Sequence, residues 1–213
     1  MISKSNYYIL LSQNTKNYPM MVGRTTPDLQ FYYSDEYRDE NGKIKLINNR
    51  IECALAPEKY SYEINIAEPS PNNPEYVDLH TYDLEQSVSE KFVEAFDGFP
   101  GIQFLQGTHG EVIEELKLDY YYLHYLYSIK CMNFDASEVR LSKRGRIMSY
   151  KKLVLDQEIL NNIPEEKRLI FWLREDPMIC IVHQKFVDVY NEAGLKGARF
   201  VPIEQYNEET AFM

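Results

Sequence analysis

The chain has 213 residues and a formal net charge of -10 at pH 7, with 44% hydrophobic and 26% charged residues. This composition excludes wholesale disorder, and the length suits one domain over residues 1–213, with two lobes at about 1–117 and 118–213 as the alternative. The acidic balance makes nucleic acid a poor partner.

An apolar run near the N-terminus extends only from Tyr7 to Leu11 before polar residues resume. It is too short for a signal peptide, and no later stretch approaches the roughly 18 apolar residues that span a bilayer. We therefore expect a cytoplasmic protein with no membrane partner. Residues 7–12 are predicted to form the first strand.

The next elements are marked by turn residues. Residues 29–34 are predicted to form a second strand, and Asn41-Gly42 is a dipeptide favoured in the tight turn of a hairpin, which would return through residues 43–47. The Pro- and Asn-rich residues 68–75 are predicted to form a connecting loop, too short to separate two domains.

One segment of the chain occurs twice in outline. Residues 87–105 and 181–203 share six identical positions, and an offset of 94 also matches Leu79 to Leu173. Two copies are too few for a stacked solenoid. The repeat therefore predicts an α+β fold with a mixed sheet and two related strand-helix-strand units at about 76–105 and 170–203. The identical pairs are Val88 and Val182, Lys91 and Lys185, Phe92 and Phe186, Val93 and Val187, Gly101 and Gly197, and Phe104 and Phe200.

The repeated residues also predict a shared core. Phe92 and Phe186 would lie on helices, with apolar residues three and four positions later, which is the spacing of a buried stripe. Gly101 and Gly197 each precede a strand, where a positive φ would let the helix stop and the chain reverse.

Residues 119–129 are rich in tyrosine and apolar on both faces of an extended chain. Tyr120 and Tyr122 share one face, while Tyr121, Leu123 and Tyr125 share the other. This pattern predicts a central strand that is buried on both sides.

The C-terminal third begins with a predicted basic hairpin, formed by residues 137–143 and 146–155 and turning at Gly145. A short helix is predicted next and would end at Pro164. The polar, acidic tail at 206–213 is predicted to be mobile.

The charges are unevenly distributed. Residues 51–90 hold nine acidic groups against one lysine, whereas residues 140–152 hold six basic groups and no acid. Such runs usually form solvated surface, but an acidic face also suits a basic protein partner. The candidate partner-binding residues are Glu63, Glu68, Glu75, Asp78 and Asp83.

No sequence motif indicates a catalytic residue, a metal site or a cofactor. His109 and Glu111 form the His-x-Glu pattern of zinc nucleobase deaminases, but the accompanying Pro-Cys-x-x-Cys is absent. His124, within the tyrosine-rich strand, is interpreted as a structural histidine, and His80 and His183 flank turns and are expected to be exposed. The cysteines Cys53, Cys131 and Cys180 are odd in number and widely spaced, which indicates buried, reduced thiols.

The repeated segment resembles the valine-serine-x-lysine, helix, glycine-x-x-phenylalanine signature of immunity protein family eleven, which is found beside polymorphic toxins in bacteria. Residues 120–140 resemble the tyrosine-rich strand of that family, and residues 181–204 resemble its C-terminal half, including the Ala-Gly-Leu-Lys-Gly turn. The resemblance covers about residues 76–205. His183 is a departure, because the family often has serine there, and the turn at residues 96–101 is another, because it is shortened.

The resemblance implies an antitoxin-like immunity protein. Such a protein binds and neutralises a cognate toxin or effector domain, encoded adjacently and acting in the cytoplasm, without being an enzyme itself. Two alternatives stay open: an enzyme that reverses a toxin-made modification, and a regulatory module that binds a small ligand in a tyrosine-lined pocket.

Overall fold

A computed structural model describes residues 6–13, 17–25, 62–66, 71–82 and 85–211. Among these residues strands and helices are both present, and two sheets contain both parallel and antiparallel strand pairs, so the α+β prediction is confirmed. The predicted strand at 29–34 and the hairpin at Asn41-Gly42 lie outside the described residues.

The strands are β1 (Tyr7–Ser12), β2 (Met21–Thr25), β3 (Tyr62–Ile66), β4 (Leu79–Tyr82), β5 (Glu85–Ser89), β6 (Ile102–Gln106), β7 (Thr108–His109), β8 (Tyr120–Tyr125), β9 (Ser128–Ile129), β10 (Glu138–Leu141), β11 (Ile147–Lys152), β12 (Ile170–Leu173), β13 (Cys180–His183) and β14 (Ala198–Pro202). The helices are α1 (Glu90–Ala95), α2 (Glu111–Glu115), α3 (Gln157–Asn161), α4 (Gln184–Glu192) and α5 (Glu208–Ala211), with 3-10 turns at Glu165–Lys167 and Ile203–Gln205.

The repeat forms two units with the same order of elements: an antiparallel hairpin, a helix and a further strand. The first unit is β4, β5, α1 and β6, and the second is β12, β13, α4 and β14. The predicted strand, helix and strand are present in each unit, and the structure adds a second strand before each helix. The missed strands, β5 and β13, run directly into their helices, at positions where the sequence predicts only a turn before the helix.

The two hairpins also align differently from the prediction. Leu79 pairs with Val88, and Ile170 pairs with Val182, the residue identical to Val88. Leu79 therefore corresponds to Ile170 and not to Leu173. The offset changes because the second hairpin has a longer turn.

A tyrosine-led strand completes each unit, and it comes from a distant part of the chain. β8 lies between β5 and β6, and β1 lies between β13 and β14. The registers agree, because Ser89 faces Tyr120 as His183 faces Tyr7. β1, from the N-terminal half of the sequence, therefore belongs to the sheet of the second unit, and β8, from the C-terminal half, belongs to the sheet of the first unit. This exchange crosses the proposed lobe boundary near residue 117 in both directions.

The helices of the two units pack against each other and form the central core. Phe92 and Phe186 are both 0% exposed, so their prediction as core residues is confirmed. The ring of Phe96 joins them, with centroids 4.5 Å from Phe92 and 4.4 Å from Phe186. Burial of these rings supplies apolar stabilisation to both units at once.

The glycine turns touch the opposite unit. Gly101 and Gly197 have φ values of 93° and 106°, as predicted. A Cβ atom on Gly197 would overlap the Leu79 carbonyl oxygen, and one on Gly101 would lie 3.1 Å from Ile170 Cγ2. Each turn therefore needs glycine for its backbone conformation and for close contact with the first strand of the other unit.

The sheet of the first unit, with strand order β4-β5-β8-β6, and the sheet of the second unit, with strand order β14-β1-β13-β12-β9, are also covered on the face opposite the central core. Tyr120 packs outward with Ile64 and Ile113, while Leu123 and Tyr125 of the same strand face the central core. The prediction that this strand is buried on both sides is confirmed.

The predicted basic hairpin is confirmed as β10 and β11, with Gly145 at φ 76° in its turn. It covers the outer face of the second sheet through Val139 and Tyr150. Tyr206, in the tail that was predicted to be mobile, is buried against Tyr150 at a centroid distance of 5.6 Å, and the Thr210 carbonyl oxygen accepts a hydrogen bond from Arg199 Nη2 at 2.8 Å.

Candidate functional site

The acidic residues predicted to bind a partner are only partly described. Glu63 lies on β3, but its side chain is outside the described part, as are Glu68 and Asp83. The structure brings Glu75 and Asp78 together around Lys196. Glu75 is exposed, with its Oε1 3.9 Å from Lys196 Nζ.

Asp78 is used within the chain. One carboxylate oxygen accepts a hydrogen bond from Ser89 Oγ at 2.8 Å, and the other accepts one from the Lys196 backbone N–H at 2.8 Å. These bonds connect the start of α1 to the glycine turn of the second unit. Asp78 therefore stabilises the contact between the units.

The hairpin β10–β11 presents a basic surface with apolar side chains among its cations. We call this surface the basic hairpin. Arg140 Nη2 lies 3.8 Å from Glu208 Oε1. The other cations of the basic hairpin have no carboxylate partner among the described residues. Leu141 and Met148 are 50% and 60% exposed. The cations without such a partner are Lys143, Arg144, Arg146, Lys151 and Lys152.

The tip of the basic hairpin is held by its own hydrogen bonds. Ser142 Oγ accepts from the backbone N–H groups of Arg144 and Arg146, at 3.3 and 3.1 Å. At its base, Tyr150 donates a hydrogen bond to Asp176 Oδ2 at 2.8 Å, and burial raises the pKa of this tyrosine. The charged side chains therefore project from an ordered, anchored backbone.

A cleft of about 950 Å³ adjoins the basic hairpin, between the end of β11 and the first residues of α4. We call it the α4 cleft. The polar side chains that matter most for its chemistry come from four separate parts of the chain: Tyr7, Lys152, Glu165, Arg168, His183 and Lys185.

His183 is the N-cap of α4, and its protonation state follows from its contacts. Its Nδ1 accepts a hydrogen bond from the Lys185 backbone N–H at 3.2 Å, so the proton of the neutral ring is on Nε2. Burial lowers the pKa of this histidine; Glu165 and Asp188 oppose that shift, while Arg168 and Lys185 add to it. His183 is thus a neutral ring whose Nε2–H is a donor at neutral pH. The residue is only 9% exposed, and Nε2 has no partner among the described residues.

Arg168 is fixed beside this ring. Its Nη1 donates to the Tyr7 hydroxyl at 2.7 Å, and its Nε donates to the Ile163 carbonyl at 3.2 Å. A guanidinium carries five N–H groups, and those not used in these bonds have no partner among the described residues. Lys185 Nζ lies 3.0 Å from Glu165, and this contact lowers the pKa of the carboxylate.

The same place in the first unit has different chemistry. The registers align His183 with Ser89, Tyr7 with Tyr120, and Arg168 with Val77. Ser89 caps α1 through its oxygen, as His183 caps α4 through Nδ1. The α4 cleft is therefore a point where the repeat keeps the cap but gains two nitrogen donor groups, the His183 ring and the Arg168 guanidinium.

Two sequence expectations about histidines were wrong. His80 and His183 were expected to be exposed, but they are 5% and 9% exposed, because the missed strands and the exchanged strands cover them. Burial lowers the pKa of His80 to about 4, and its Nε2 accepts a hydrogen bond from the Val77 backbone N–H at 3.2 Å.

The other histidines lie in and beside β8. His124 is buried in that strand, and His109 Nε2 lies 2.8 Å from the Tyr120 carbonyl oxygen. In the described part of the chain, no three His, Cys, Asp or Glu side chains come close enough together to hold a metal ion. Cys131 and Cys180 are free and buried, as predicted, and Cys53 is outside the described residues.

No protein-family model matches the chain, and no curated protein is similar to it. None of the helices in the described ranges has both the length and the apolar character needed to cross a bilayer. The resemblance to immunity protein family eleven therefore depends on its sequence motifs.

Proposed function

We propose that this protein is an antitoxin-like immunity protein, which binds a cognate toxin or effector domain in the cytoplasm and neutralises it by occupying its surface. The observation that carries the proposal is the basic hairpin, an anchored two-stranded element with five cations that lack a carboxylate partner among the described residues and with two exposed apolar side chains. The motif resemblance supplies the biological setting.

Physical chemistry favours the basic hairpin as a contact surface. A group of exposed positive charges steers an oppositely charged partner toward the surface and raises the association rate. Leu141 and Met148 add apolar area that would be removed from water only in a complex. An element that is ordered before binding also loses little conformational entropy when it binds. The partner surface that fits is acidic, with an apolar centre.

The acidic segment is a second contact surface on this proposal. Its candidate residues were Glu63, Glu68, Glu75, Asp78 and Asp83. Because Asp78 is used in internal bonds, Glu75, which is exposed, is the described carboxylate suited to a basic region of the partner.

The first test is to read the neighbouring reading frames for a toxin with a variable C-terminal domain, and then to co-express that domain with this protein. We expect co-expression to relieve growth arrest. The variant Arg144→Glu/Arg146→Glu should give much weaker relief, with association slowed about tenfold at low salt.

A matched control is Lys117→Glu/Lys130→Glu, which makes the same change in net charge at two exposed lysines outside the basic hairpin. This control should protect as well as the unchanged protein. Equal loss of protection in both variants would show that total charge matters and that the basic hairpin does not.

The enzyme alternative predicts a different stoichiometry. An enzyme that reverses a toxin-made modification would rescue a poisoned target at a small fraction of the toxin concentration, with loss of the covalent mark. Binding without catalysis requires at least as much of this protein as of the toxin.

A further inference from the structure

The α4 cleft gathers hydrogen-bond donors that the fold does not use. His183 presents Nε2–H, because the Lys185 backbone N–H occupies its Nδ1. Arg168 has spare N–H groups after its bonds to Tyr7 and Ile163. Lys152, at the end of β11, is exposed and lines the same cleft.

The charges of the lining favour an anion. Lys152, Arg168 and Lys185 line the cleft together with two carboxylates, Glu165 and Glu204, and Lys185 is already paired with Glu165. The nine-residue helix α4 begins at the cleft, so its dipole adds partial positive charge. The His183 ring lines this cleft, and because its Nδ1 is occupied by the Lys185 backbone N–H, its Nε2–H is the donor left for an acceptor.

We propose that the α4 cleft binds a small molecule through an oxyanion group, a phosphate or a carboxylate, held by His183 Nε2, Arg168 and Lys152. Arginine, lysine and a neutral Nε2–H histidine all donate, which suits a group that only accepts. The cleft volume exceeds that of a lone oxyanion, and Leu153, Leu155 and Ile203 supply apolar walls for the rest of the ligand.

This inference does not depend on the proposed function. An immunity protein could carry such a site to sense a metabolite, and a protein with no toxin partner could use it as its main activity. The basic hairpin continues into the cleft through Lys152, so an occupied cleft would place negative charge at the base of the hairpin.

The test is calorimetric titration of the full chain with inorganic phosphate and, separately, with acetate, at constant ionic strength set by chloride. His183→Asn removes the ring donor but keeps a side-chain oxygen that can cap α4. Lys152→Gln removes a lining cation, and Lys151→Gln is its matched control, since Lys151 is adjacent and exposed but does not line the cleft.

We expect at least one anion to bind, with Kd raised about tenfold or more by His183→Asn, raised severalfold by Lys152→Gln and unchanged by Lys151→Gln. Tighter binding of phosphate would identify a phosphoryl group, and tighter binding of acetate a carboxylate. If His183→Asn fails to fold, the comparison of Lys152→Gln with Lys151→Gln tests the proposal without it. Binding of neither anion, or equal effects of Lys151→Gln and Lys152→Gln, would overturn the proposal.

Discussion

His80 occupies the position in the first unit that Phe171 occupies in the second. The His80 ring meets Tyr120 edge to face at a centroid distance of 5.5 Å, and Phe171 meets Tyr7 in the same way at 6.1 Å. The packing geometry is thus preserved, while the group in the first unit can take up a proton. Because desolvation penalises the charged ring, burial lowers the pKa of His80 to about 4.

We predict that His80 makes the protein less stable in mild acid. In the unfolded chain the ring takes up a proton below its ordinary pKa of 6.5, but in the folded chain only below about 4. The unfolded state therefore binds more protons between these pH values, and the free energy of unfolding falls as pH decreases from 6.5 to 4. The loss reaches about 3 kcal/mol if this histidine acts alone.

The measurement is urea unfolding across this pH range for the unchanged protein and for His80→Phe, which copies the residue of the second unit. The variant loses an acceptor for the Val77 backbone N–H, so the comparison uses the slope of stability against pH and not its absolute value. The slope should be flatter in the variant. Parallel curves would contradict the predicted role of burial.

At the scale of elements, the glycine turns have different requirements. Gly194 and Gly197 both have positive φ, but a Cβ atom on Gly194 would meet no atom within 4 Å, whereas one on Gly197 would clash with β4. The backbone conformation alone costs a non-glycine residue about 1–2 kcal/mol. Close contact between the units adds to that cost only at Gly197.

We predict that Gly197→Ala lowers the free energy of unfolding by about 3 kcal/mol or more, and that Gly194→Ala lowers it by about 1 kcal/mol. Chemical denaturation of the two variants gives the comparison. Equal losses would show that the turn can move away from Leu79, and that the units are less tightly packed there than the close approach of Gly197 indicates.

The acidic segment gives a prediction about association that the structure has sharpened. Reversing Asp78 would break bonds to Ser89 and Lys196, so the test should change Glu63, Glu68 and Glu75 to lysine and leave Asp78 unchanged. We expect slower association with the cognate toxin and a flatter salt dependence, because salt screens steering charges over about 8 Å at physiological ionic strength.

Stopped-flow association at low and moderate salt measures this effect. The control is lysine replacement of three exposed carboxylates elsewhere, Glu158, Glu166 and Glu192. If both triple variants associate at the same rate, the acidic segment is ordinary solvated surface and the basic hairpin carries the recognition.

At the scale of the whole molecule, local sequence patterns predicted which strands and helices form better than they predicted which strands pair. The core rings Phe92 and Phe186, the buried strand β8 and the hairpin at Gly145 could all be predicted, because each depends on side-chain periodicity or turn chemistry within a short segment. The strand β5 could not be, because Glu85–Ser89 is short, largely polar and lacks apolar alternation.

The exchange of β1 and β8 was beyond local pattern reading, because strand pairing depends on contacts between residues far apart in sequence. The paired tyrosines Tyr7-Tyr8 and Tyr120-Tyr121 were a visible signal that the two strands are equivalent. The α4 cleft was missed for the same reason, since the polar side chains that define its chemistry come from four separate parts of the chain. His183 gave the one local clue, as a histidine where serine is common in the family that the sequence resembles.

The central claim is that this protein neutralises a toxin by binding it, with the basic hairpin in the contact. The most direct measurement is a titration of the activity of the adjacently encoded toxin domain with the purified protein. We predict that inhibition is complete at an equimolar amount, and that Arg144→Glu/Arg146→Glu needs a large excess while Lys117→Glu/Lys130→Glu does not. Full rescue at a small fraction of the toxin concentration, or inhibition that the hairpin variant leaves unchanged, would contradict it.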